Sequence, residues 1–166
     1  SGTEMDILPD GSLDYDNEVL AQLDYVIAAI HQSFNQSEDE IMKRLEVACK
    51  NPYVRHIAHP TGRIIGRRPG YKPNIEKLMK LAEETNTILE INANPKRLDL
   101  NAETVRKYPN VKLTINTDAH HTNHLEFMKY GVATAQKGFV AKDRVVNALS
   151  REDFKKFIAN NIKMKK

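Results

Sequence analysis

Four short apolar runs, "VIAAI", "VRHIA", "TILEI" and "VKLTI", recur along the chain, and each leads at once into groups capable of chemistry. The first runs into His31, the second into His59, the third into Asn92 and Asn94, and the fourth into Asp118 and His120. Short runs rich in β-branched residues read as buried strands. Between them lie amphipathic stretches: "NIEKLMKLAEETN" sets Ile75, Leu78, Met79 and Ala82 at helical spacing. Strand then helix, repeated, is the pattern of a parallel sheet with crossover helices. An open doubly wound sheet and a barrel both satisfy it. The barrel is favoured, because it gathers the carboxyl ends of all strands on one face, where the polar groups of this sequence accumulate.

The remaining segments fit the same plan. "TEMDIL" reads as a first strand with a turn at "PDGS", and "LDYVIAAIH" as a second. A helix from about Ser37 to Lys50 opens with Ser37 as N-cap and Glu40 three residues later, a capping box. "NAETVRKYP" reads as a short helix, followed by a helix around His124 to Tyr130, a short run "GVATA" and two terminal helices. Residues 1–166 read as one domain with no linker, repeat or low-complexity stretch.

Composition excludes some chemistry. The lone cysteine, Cys49, rules out a disulfide framework and a thiolate zinc site and reads as core packing in a reducing cytosol. No apolar run reaches membrane-span length and nothing reads as a signal peptide, so a cytoplasmic location is expected. A formal charge of +3 permits a nucleic-acid partner without arguing for one.

In a barrel, Glu4, His31, His59, Asp118 and His120 would meet at one mouth. Carboxylates and imidazoles without thiolates suit Zn, Mn or Fe rather than Ca or Mg alone. Residues two apart on an extended strand share a face, so Asp118 and His120 are read as a pair. A carboxylate such as Glu4 can bridge two ions, which permits two-metal activation of water against a phosphate ester. His56, on the opposite strand face from His59, reads as packing; His121 and His124 read as surface or supporting residues. The loop "TGRIIGRRPGYK" carries Arg63, Arg67, Arg68 and Lys72, and "NANPKRLDL" adds Lys96 and Arg97. Arginine forks match phosphate oxygens, so an anionic substrate is expected, a phosphodiester being the simplest.

Glu4, His31, "AHPTGR" with His59, and "TDAH" with Asp118 and His120 together resemble the PHP (polymerase and histidinol phosphatase) family. "HPTGRIIGRRPGY" and "EINANPKRLDL" resemble more narrowly the C-terminal PHP domain of bacterial family X DNA polymerases. The resemblance implies an α/β fold, a distorted (β/α)7 TIM-like barrel with up to three ions at the strand carboxyl ends. It implies manganese-dependent 3′-5′ exonuclease and end-processing activity on DNA 3′ ends, gapped or single-stranded. Carried over, Glu4 resembles the bridging carboxylate, His31 and His59 its partners at one metal, Asp118 a ligand of a second and His120 of a third. Arg63 and Arg67 resemble phosphate-facing basic residues of the adjacent loop; Arg68, Lys96 and Arg97 are added as substrate-binding candidates on their charge and position alone. The metals implied are Mn2+ or Zn2+, with Fe as a third possibility.

One departure is large. The family's His-x-His on the first strand has no counterpart, since only three residues precede Glu4. The sequence is therefore expected to be about the last two-thirds of a PHP domain, weak or inactive alone, needing the remaining PHP and polymerase segments. It is also expected to expose a barrel edge open to dimerisation. Two other readings stand beside the nuclease: a phosphatase acting on a small phosphomonoester such as histidinol phosphate, and a non-catalytic structural or DNA-binding module.

Overall fold

The computed structural model describes residues 1–165. Five parallel strands form one sheet: β1 (Gly2–Asp6), β2 (Tyr25–Ala29), β3 (Val54–Ile57), β4 (Ile88–Asn92) and β5 (Leu113–Asn116). Their spatial order is their sequence order. Each strand thus advances the sheet in one direction. Right-handed crossovers then stack the connecting helices on one face and leave the other face free.

The crossover helices are α1 (Asn17–Leu20), α2 (Glu38–Lys50), α3 (Ile75–Glu84) and α4 (Ala102–Lys107), followed by α5 (Met128–Lys137) and α6 (Arg151–Lys165). The capping box expected at Ser37 is present, with reciprocal bonds between Ser37 and Glu40. Leu78, Met79 and Ala82 of α3 are buried as their spacing requires. They join Ile41 and Leu45 of α2 and Ile57, Leu89 and Ile91 of the sheet in one continuous core, where Cys49 is also buried. Gly131 lets α5 approach the sheet: a Cβ there would stand 2.4 Å from Ile115 and 2.7 Å from Ala93.

Two expectations from the sequence are corrected at the C-terminal end. "GVATA" is not a separate run but the middle of α5. The two terminal helices are one, α6, preceded by two single 3-10 turns at Lys142–Arg144 and Val146–Ala148. Arg144 explains the turns: its buried guanidinium donates to the carbonyls of Val105, Tyr108 and Val111, so the backbone follows its anchor rather than a helical repeat.

The face of the sheet away from these helices is mixed, with Tyr25, Ile27 and Ala58 among polar groups. Glu4, His56, Glu90, Thr114 and Asn116 line a cavity of about 230 Å³ there, and α6 closes one side of it through Phe154. The Phe154 ring lies 5.9 Å from that of Tyr25, and Asn161 Nδ2 donates to the carbonyl of Asn86.

Candidate metal centre

Three strand ends place three ligand-type groups together. Glu4 lies on β1, His31 two residues beyond β2 and His59 two beyond β3. Glu4 Oε1 is 3.3 Å from His31 Nε2 and 3.1 Å from His59 Nε2, and the two imidazoles sit 5.1 Å apart. Among the described residues, these are the His/Cys/Asp/Glu group whose donor atoms lie close enough to share one ion. Two ligands at ~2.1 Å from a tetrahedral ion are separated by roughly 3.4 Å, close to both Glu4–histidine separations, so this donor set fits a metal.

The supporting contacts point the same way. Asp6, two residues after Glu4 on the same face of β1, takes a bond from His31 Nδ1, which leaves Nε2 directed at Glu4. A carboxylate behind a histidine fixes its tautomer and ring orientation, as it does behind metal-ligating histidines. Glu4 above all, with Asp6, raises the pKa of His31, and the same bonds to His31 and His59 hold the Glu4 carboxyl well below the usual carboxylate range. A metal ion at Nε2 of His31 would have to displace the proton that this carboxylate pair favours, so binding there would release protons.

His59 is buried and strained into place. Its backbone has φ of 29°, and its N–H donates to Glu90 at 2.7 Å. Glu90 also accepts from Asn92 and Asn116 at 3.0 and 2.9 Å, so one buried carboxylate ties three strand ends together. Burial raises its pKa. His56, on the cavity face, donates to or accepts from Thr114 at 3.0 Å, and burial pushes it down to about 3.

Asp118 and His120 are placed differently from the first three. β5 ends at Asn116, and Asp118 turns out of the strand with φ of 52°. Strand alternation therefore does not extend to this pair. The Asp118 carboxylate lines the same cavity as Glu4, yet bonds Arg97 Nε at 2.9 Å and Asn92 Nδ2 at 3.3 Å. His120 is mostly exposed, its Nδ1 at 2.8 Å from the carbonyl of Asp118.

The basic residues divide into two groups. Arg63 donates to the carbonyls of Arg97 and Leu98, and Arg68 to that of Gly62 while lying 4.1 Å over the Phe34 ring. With Thr61 bonded to Asp99 and Ile65 N bonded to the carbonyl of Lys96, these contacts fasten the two basic loops to each other. Gly70 permits the tight return, since at φ of 84° a Cβ would meet the Thr61 carbonyl at 2.3 Å. Arg67 and Lys96 are exposed instead and border a cleft of about 300 Å³ with Arg97, Asp118 and His120.

Asp6, Glu90 and Asn116 were not legible as site residues. For Asp6 the signal was its two-residue spacing from Glu4; for Glu90 it was an acid inside an otherwise apolar strand, rare without partners.

No family model matches the chain. It is 56% identical over 162 residues to the DNA polymerase/3′-5′ exonuclease PolX of Bacillus subtilis (strain 168), covering 96% of this chain and 28% of that protein. A probable phosphatase of Thermoanaerobacter sp. (strain X514) is 28% identical over 158 residues, 88% of this chain and 62% of that protein. These similarities are consistent with the C-terminal part of a PHP domain. Another relative, a probable phosphatase of Caldanaerobacter subterraneus subsp. tengcongensis, is 38% identical over 95 residues, 55% of this chain and 35% of that protein. The chain thus spans less than two thirds of the length of each of these relatives. Among the described residues, no helix is long and apolar enough to cross a membrane.

Proposed function

We propose that this chain is part of a metal-dependent phosphodiesterase acting on DNA, the 3′-5′ exonuclease and end-processing portion of a cytoplasmic family X repair polymerase. The observation that carries the reading is Glu4 held between His31 and His59 at ligand spacing. The 56% identity to a polymerase/exonuclease supports DNA as substrate. The sheet, extended by strands from the rest of such a protein along β1, would close as the (β/α)7 barrel, and those strands would bring the co-ligands of Asp118 and His120. Without them the edge of β1 is open to pairing with a second copy.

Glu4, His31 and His59 would hold one ion, Mn2+, Zn2+ or Fe, with Asp118 and His120 contributing to further ones. Such an ion supplies Lewis acidity and a water that is acidic near neutral pH. The chain's own residues do the rest. Asp6 orients His31, Glu90 fixes the backbone of His59, and Arg67 and Lys96 meet the substrate's phosphates at the cleft. Arg63 and Arg68 act by holding that cleft in shape.

The second reading, hydrolysis of a small phosphomonoester, is favoured by the names of the more distant relatives. A direct comparison separates the two: nucleotide release from the 3′ end of single-stranded and gapped oligonucleotides in Mn2+, against phosphate release from histidinol phosphate. The assay uses the chain alone and joined to the rest of its domain. Nucleotide release that disappears in His59→Asn is the expected result; phosphate release alone would favour the second reading. If neither substrate turns over, the catalytic reading fails and a structural or DNA-holding module remains.

A further inference from the structure

Beside the cleft stands a feature that metal chemistry does not use. Four rings, His121, His124, Phe127 and Tyr130, recur at three-residue spacing across the 3-10 helix Thr122–Phe127 and into α5. In a 3-10 helix, side chains three apart eclipse one another, which sets His124 against Phe127; His121 extends the row from the N-cap and Tyr130 from the first turn of α5. Successive centroids are 6.1, 4.9 and 6.2 Å apart, with His124 and Phe127 stacked at 22°. His121 and Tyr130 are exposed, and His124 and Phe127 are half-buried.

The column starts at the cleft. The backbone N–H of His120, a residue of the cleft wall, donates to His124 Nδ1 at 3.2 Å. Its far end carries Lys129, whose Nζ lies 5.3 Å over the Tyr130 ring. Glu126 is the sole acid from His121 to Lys137. A cationic cleft thus continues into a row of rings, of which His121 and Tyr130 at the two ends are exposed and His124 and Phe127 between them are stacked on each other and half-buried. That combination, positive charge for the backbone and rings for the bases, is the one that holds single-stranded nucleic acid without regard to sequence.

We infer that the His121–His124–Phe127–Tyr130 column is a base-stacking platform for the unpaired strand of a nucleic acid whose phosphates enter the cleft at Arg67 and Lys96. The inference deepens the phosphodiesterase reading and rests on it for the direction of the strand toward Glu4. A small phosphomonoester has no use for such a column. A protein partner seated on exposed Leu125 and Met128 is the competing occupant.

The test separates bases from phosphates. Fluorescence anisotropy in EDTA, where no hydrolysis occurs, compares labelled octathymidylate with an abasic strand of equal length and charge. Each stacked base contributes roughly 5- to 160-fold, so octathymidylate is expected to bind at least about tenfold more tightly. Phe127→Leu and Tyr130→Leu, which retain apolar bulk, should shrink this ratio toward one; Leu125→Ala, in the same segment, should leave it unchanged. Circular dichroism checks folding, and should Phe127→Leu unfold, exposed Tyr130→Leu carries the test alone. Equal affinity for the two strands, no binding of either, a ratio untouched by the ring variants, or a ratio lost in Leu125→Ala overturns the platform. Failure of the catalytic reading is recognised separately, as absence of Mn2+ binding by the same protein in electron paramagnetic resonance.

Discussion

Arg97 Nε lies 2.9 Å from Asp118 Oδ2, with both side chains largely withdrawn from solvent. The arginine therefore holds the carboxylate that the family resemblance assigns to a second ion. A divalent cation at Asp118 would have to compete with Arg97 for this partner. Removing one member of a shielded ion pair leaves the other uncompensated and costs on the order of 3–5 kcal/mol when the pair is buried. Arg97→Gln is expected to lower the melting temperature of the metal-free protein and to enlarge the upward shift that Mn2+ produces. Equal shifts in variant and wild type would show that Asp118 takes no ion when freed.

Asp6 tests the orientation of His31. Asp6→Asn keeps shape but removes the anion behind Nδ1. Loss of such a partner weakens metal binding by about 10- to 100-fold. Isothermal titration with Mn2+ should show that loss without global unfolding. Unchanged affinity would mean that Asp6 is not the group that aims His31.

Glu90 is expected to matter through His59. In Glu90→Gln one acceptor oxygen becomes an NH2 donor, so the isostere opposes either the His59 N–H and Asn92 or Asn116 and cannot accept from all three together. The cost is about 1–3 kcal/mol of stability, with weaker metal binding alongside. Denaturant unfolding and metal titration on the same sample would check both. A variant with wild-type stability and affinity would remove Glu90 from the account.

His56 should make the protein sensitive to acid. Burial lowers its folded pKa to about 3 from an ordinary 6.5, so the unfolded chain binds the extra proton between these values. Its contribution is complete above pH 6.5 and declines as pH falls toward 3. Between pH 6.5 and 5 the loss is about 2 kcal/mol at roughly 1.36 kcal/mol per unit. Burial raises the carboxyls of Glu90 and Asp99, which pull the other way, so the comparison is with His56→Gln. The stability difference between wild type and variant should narrow or reverse against the wild type by that amount from pH 6.5 to 5. A difference independent of pH would contradict the burial argument.

The sequence carried the strands, the capping box and the Glu4–His31–His59 trio, because strand ends in a parallel α/β sheet are ordered by local pattern. What it hid depended on tertiary contacts. Arg63 and Arg68 look the same in sequence as Arg67, yet they are spent on carbonyls. Asp118 reads as a strand residue until the positive φ after Asn116 shows the strand has ended. Glu90 reads as one polar letter in "TILEI", and only the fold shows three donors converging on it.

The most direct measurement is Mn2+ bound per chain at pH 7.5, by electron paramagnetic resonance, in the wild type and in His59→Asn. The donor set calls for about one tightly held ion that disappears in the variant. Binding that is absent in the wild type, or equal in both proteins, would contradict a metal centre built on Glu4, His31 and His59.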